Sequence, residues 1–150
     1  MKVTLTSFRD AKNWPHCDQY SIARWQPRNM GRTWPTIPEL AARDLSGKSL
    51  KHLEPDEFRI KYEDRLANKE VDIVLRMLLA RHTSDRDIAL LCWCNPARQK
   101  GYEKLCCHRI LVGRWIEEHY PGIQVIYADG AENPVWPKQA GEEETGETDD

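Results

Sequence analysis

Cys92, Cys94, Cys106 and Cys107 place four of the five cysteines within sixteen positions, and His108 and Arg109 follow directly. Thiols and an imidazole are soft metal ligands and nucleophiles, and a guanidinium adds a permanent cation. Three chemistries fit. In the first, Cys107, His108 and Arg109 form a reactive or ligand-binding site. Cys107 is then the nucleophile, His108 the acid/base, and Arg109 the source of charge-assisted hydrogen bonds to an anion. In the second, zinc is held by Cys92, Cys94, Cys106, Cys107 and His108. Cys-x-Cys followed by Cys-Cys-His is not a familiar zinc spacing, however, and adjacent Cys106 and Cys107 point in different directions. In the third, the thiols are small buried hydrophobes.

The elements around the cluster favour an anion site. Ile88–Cys92 is an apolar run without alternation, which predicts a strand covered on both faces. A helix is predicted from about Cys107 to Tyr120, with Leu111, Val112, Trp115 and Ile116 toward the core; Pro121-Gly122 stops it and Ile123–Tyr127 is the next strand. Strand, helix, strand is a βαβ unit, so the two strands run parallel. Cys92 then lies at a strand's carboxyl end and Cys107 at a helix start, the two sides of the crevice where open α/β sheets hold ligands. Unpaired N–H groups and the macrodipole at a helix start favour a thiolate or an anionic ligand.

Upstream, residues 2–8 alternate as a strand should, and Thr6 and Ser7 end it, either offering hydroxyls to the same crevice or, the favoured reading, supplying ordinary strand-end polarity. Tyr20–Trp25 reads as a second strand on which Tyr20, Ile22 and Arg24 share a face. Arg24 there stands among apolar neighbours and calls for an anionic partner. Arg24-Trp-Gln-Pro-Arg28 through Trp34 interleaves arginines with tryptophans. That mixture suits phosphates and stacked bases, or else a proline-rich loop with its indoles turned inward. Glu39–Leu45 suggests a short helix, Asp56–Ala67 another, and Glu70–Arg81 a third with Val71, Val74, Leu75, Leu78 and Leu79 on one stripe toward the sheet. His16 and Cys17 fall in a loop; His52, His82 and His119 have no matching partners nearby.

The 150 residues carry a net charge of −2, which hides an asymmetry. Residues 1–128 hold 21 basic and 16 acidic side chains, whereas 129–150 hold one basic and eight acidic. The reading is an α/β domain over 1–128 and an acidic, disordered tail over 129–150, since Gly141–Asp150 has no apolar residue to repay ordering. No apolar run approaches the ~20 residues of a membrane helix, so no membrane partner is expected. The N-terminus lacks a signal-peptide core, so a cytoplasmic location with reduced thiols is expected. Gly-rich phosphate loops, Gly-x-Ser-x-Gly elbows, His-Glu-x-x-His pairs and zinc deaminase signatures are all absent from the sequence.

Leu90-Leu-Cys, Cys107-His-Arg-Ile-Leu-Val-Gly-Arg-Trp-Ile and Ser21-Ile-Ala-Arg-Trp-Gln-Pro resemble, in that family's order, the domain of unknown function 488. The resemblance covers most of 1–128. It implies a compact α/β domain with a site around Cys92, Cys107, His108 and Arg109, and no established activity. The chain departs from the pattern in its longer 93–105 loop and in Cys94 and Cys106. The combined expectation is a single Rossmann-like α/β domain with a mostly parallel sheet flanked by helices. It would bind a nucleotide-like or nucleic-acid-derived anion through Arg24, Arg109, Cys92, Ser7 and Ser21, with cysteine catalysis at Cys107 and His108. The alternative is a non-catalytic interaction protein with a zinc-stabilised cysteine loop.

Overall fold

Four short segments, three of them rich in aliphatic and β-branched residues and the second polar apart from Tyr20, pair into one sheet. They are β1 (Lys2–Ser7), β2 (Asp18–Ser21), β3 (Ile88–Cys92) and β4 (Gln124–Tyr127). In the computed structural model, which describes residues 1–42, 55–81, 86–93 and 107–128, their order is β2-β3-β1-β4 and every neighbouring pair is parallel. A parallel sheet must be covered on both faces, and the central strand β3 is buried at all five positions. The fold is therefore α/β, with the parallel sheet and flanking helices of a Rossmann-like domain.

The register sorts side chains onto two faces. Val3, Leu5 and Ser7 of β1 stand opposite Ile88, Leu90 and Cys92 of β3. The apolar members of this set join one large core with α1 (Pro55–Leu66), α2 (Lys69–Arg81) and α3 (His108–His119). Phe58, Tyr62 and Leu66 recur every four residues on α1 and are all buried. Val71, Leu75, Leu78 and Leu79 of α2 enter the same core, as the apolar stripe predicts. The opposite face carries Ala89 and Leu91, covered by Phe8, Ala11, Cys17, Ala23 and Trp34.

That second cover includes a 3-10 helix, η1 (Phe8–Asn13), which the sequence reading does not anticipate. Asp10 organises it, accepting from Thr6 Oγ1 at 3.0 Å and Trp14 Nε1 at 3.2 Å, and from Asn13 Nδ2. Two further expectations need correction. The second strand ends at Ser21 rather than running to Trp25. Ile22 N still bonds Leu91 O at 2.9 Å, but Ser21 turns its backbone to Pro35 O and Ile37 N, and the chain then bends over 23–25. At 39–42 there is no helix: Leu40 N and Ala41 N bond back to Ile37 O and Pro38 O, which makes a turn. The remainder of that expected helix, most of the 93–105 loop, His52, His82 and the acidic 129–150 tail lie outside the described residues.

Helix α3 lies very close to the sheet. A Cβ at Gly113 would stand 2.3 Å from Leu5 Cδ1 and 2.7 Å from Tyr127 Cε1. Gly113→Ala should therefore lose roughly 1–2 kcal/mol, overpacking outweighing the usual helix gain of about 1 kcal/mol. Urea denaturation measures this, and a more stable variant would contradict the close approach.

Candidate functional site

The βαβ unit brings the cluster's two halves together. Cys92 ends β3 beside Ser7 of β1; Cys107 is the N-cap of α3, and His108 opens the helix. Cys92 Sγ lies 3.8 Å from His108 Nε2 and 4.0 Å from Nδ1. His108 Nε2 is also 2.8 Å from the carbonyl oxygen of Ile22. A carbonyl only accepts, so Nε2 carries the proton, and in the neutral ring Nδ1 is left as an acceptor that the Cys92 thiol can serve. Burial is the main cause that pushes the His108 pKa below its ordinary value. The charges of Arg109 and Arg65 act the same way, while Cys107 and the Ile22 bond oppose them.

A depressed histidine pKa favours the unfolded chain in acid. The neutral ring costs nothing above the ordinary value of 6.5. Below it the unfolded histidine takes up a proton that the folded one refuses, so stability falls until the folded pKa is passed. Thermal unfolding measured from pH 8 down to pH 5 should show this decline below about pH 6.5. In His108→Gln the decline should be shallower; an unchanged profile would contradict a buried neutral ring.

The cluster is a buried network. Cys107 is 0 % exposed and packs with Ile110 and Tyr127, and Arg109 is 1 % exposed. Tyr62, with its ring 5.5 Å from that of His108, donates its hydroxyl to Leu40 O at 2.6 Å. Burial and then the neighbouring Cys92 and Cys107 push its pKa well up. The expected roles change accordingly. Cys107 as nucleophile requires a thiol that a substrate can reach, and this one is enclosed by apolar side chains. His108 as acid/base requires a mobile proton, whereas its Nε2 proton is committed to a backbone carbonyl. Arg109 as ligand contact requires an open guanidinium, and this one is interior. Ser21 is fully buried, with its hydroxyl accepting from Ala23 N at 3.3 Å. Ser7 and Cys92 are buried at the strand ends. For zinc, no group of three or more metal-ligating side chains is arranged around a common point among the described residues. Cys94 and Cys106 lie outside the described residues.

What opens to solvent at this edge is the segment after β2. Arg24, Trp25, Gln26, Arg28, Gly31 and Arg32 line an open cleft of about 1110 Å³. Arg24 is half-buried in a bend rather than on a strand. Its guanidinium sits 4.8 Å from the centroid of the Trp25 ring. Trp25 is 66 % exposed, while Trp34 is 5 % exposed and belongs to the core. Of these two tryptophans, then, Trp34 is turned inward and Trp25 faces solvent. Arg32 lies 4.6 Å from the Trp34 ring centroid and reaches Gln19 Oε1 at 3.2 Å.

The cleft is braced from within and from below. Gln26 Nε2 donates to Trp34 O and to Thr36 Oγ1, each at 2.7 Å, and Gln26 Oε1 accepts from Trp34 N at 3.3 Å. Gly31 adopts φ +69°, a left-handed turn that an L side chain resists. His108 grips Ile22 O at the foot of the loop, and Trp93 Nε1, just past β3, donates to Trp25 O at 2.8 Å. His108 thus ties the buried cluster to the foot of the exposed cleft. Tyr62 and Gln26 were not singled out from the sequence. The four-residue spacing of Phe58, Tyr62 and Leu66 carries a signal for the first, and nothing local marks the second.

No family model, curated protein or solved structure matches the chain. The resemblance to the domain of unknown function 488 accordingly rests on the motifs quoted above. Among the described residues, no helix is long and apolar enough to cross a membrane.

Proposed function

We propose that this protein binds a phosphate-bearing ligand with a planar base, a nucleotide or a nucleic-acid segment, in the 24–33 cleft. One observation carries the reading: three arginines and a tryptophan two-thirds exposed line the same cleft at the carboxyl edge of a parallel sheet. Guanidinium forks match phosphate oxygens, and an exposed indole offers a face to a base. The edge itself is where sheets of this kind hold ligands. The reading is one of binding: His108 holds the loop's foot at Ile22 O, and the buried Cys92, Cys107 and Arg109 lie behind it instead of meeting the ligand.

Calorimetric titration with adenosine monophosphate at low salt tests it. Saturable binding is expected in the wild type and an affinity about tenfold lower in Trp25→Leu. The unfolding temperature of that variant should be unchanged, because the ring is mostly outside the core. Equal affinity in the two proteins would remove the cleft from the binding site.

A further inference from the structure

We infer that the occupant of this cleft is a single strand of nucleic acid at least two nucleotides long, with Trp25 and Trp93 stacking successive bases. The inference rests on the binding reading above and deepens it. Two large indoles are exposed at this one edge, Trp25 at 66 % and Trp93 at 47 %. Isolated exposed tryptophans are uncommon because the ring's area is mostly apolar. These two are not isolated. The bond from Trp93 Nε1 to Trp25 O fixes the second indole against the backbone of the first. Phe8 supports Trp93 from the core side in an edge-on contact, with centroids 5.3 Å apart and planes at 64°. Trp93 has therefore already satisfied its one polar atom, and its remaining exposed area is ring.

A mononucleotide would cover one such ring and leave the other in water. A nucleoside monophosphate would also bring a single phosphate to three arginines. A strand brings one phosphate per nucleotide along a path that Arg24, Arg28 and Arg32 line, which matches a charged track beside stacking platforms. Paired bases do not present their faces, so a duplex would engage the arginines and neither ring. An acidic peptide would likewise satisfy the charges alone. A bent, braced loop also costs little ordering entropy when the strand docks.

The test compares fluorescein-labelled hexauridylate and hexathymidylate with adenosine monophosphate, an abasic hexamer of equal charge, and a hexaglutamate peptide, all at one salt concentration. Either hexanucleotide is expected to bind at least tenfold tighter than the mononucleotide, and the abasic strand and the peptide at least tenfold weaker than the hexanucleotides. Trp93→Leu should lower hexanucleotide affinity about tenfold. Should that variant fold poorly, the abasic strand still removes stacking without touching the protein. Equal binding of the two hexanucleotides supports recognition by stacking and backbone, and a preference for one of them supports it with the sugar hydroxyl or the C5 methyl read as well. Hexanucleotides no tighter than the mononucleotide, with both weakened by Trp25→Leu, would overturn the strand and keep the nucleotide. An abasic strand or peptide binding as tightly as a hexanucleotide would overturn the stacking role. Indifference of every ligand to Trp25→Leu would overturn the binding reading itself.

Discussion

Arg109→Ala is expected to lower the free energy of unfolding by about 3–5 kcal/mol. Arg109 is the largest of the fully buried side chains, at 1 % exposure, and lies in the first turn of α3 between His108 and Ile110. A guanidinium stays charged inside a protein, and the start of a helix is the end of the macrodipole that disfavours cations. Its place there depends on the polar and electrostatic contacts it makes. Truncation would strip those partners and leave a void where the stem had been. Against a typical total of 5–15 kcal/mol, that loss should be plain in a urea melt followed by circular dichroism. Arg109→Lys should recover only part of it, since an ammonium does not reproduce a planar fork of five donors. A variant that melts like the wild type while losing ligand would mean that the guanidinium faces the ligand, contrary to its burial.

The largest effect on binding should come from the opposite kind of arginine. Replacing Arg24, Arg28 and Arg32 together by glutamine should weaken hexanucleotide binding about hundredfold or more at low salt. Each exposed charge-assisted contact to phosphate contributes on the order of 1 kcal/mol. The same triple change should alter stability by about 1 kcal/mol or less, most of it from the Arg32–Trp34 contact. The contrast between the two experiments separates a buried side chain from a contact surface. Arg109 should move the melt, and the cleft arginines should move the affinity.

Much of the frame was legible in the sequence because its signals are local. The unbroken apolar run of β3, the stripe on α2 and the Pro-Gly stop after α3 each say what they become. The βαβ reading then placed Cys92 beside the α3 start without any structure. What was not legible depends on distant partners. The end of β2 at Ser21 is set by Pro35 and Ile37 drawing its backbone away, and no residue near Ser21 announces that. The 3-10 helix at 8–13 is held by Asp10 gathering three side-chain donors, a pattern with no periodicity to detect. The burial of the cluster is not legible for a related reason. Cysteine, histidine and arginine in a row suggest an open reactive site, but burial is decided by Tyr62, Ile110 and Tyr127 from α1, α3 and β4. The 24–34 segment showed the reverse. Its arginines and tryptophans were visible as a set, and only packing distinguished exposed Trp25 from buried Trp34.

The cleft is the centre of the account, and the salt dependence of hexanucleotide affinity tests it most directly. Each phosphate neutralised on a single strand contributes about −0.7 to the slope of log affinity against log salt. Wild-type protein engaging three phosphates through Arg24, Arg28 and Arg32 should therefore give a slope near −2, collapsing toward zero in the triple glutamine variant. The same slope in both proteins would place the bound phosphates elsewhere on the molecule and contradict the account.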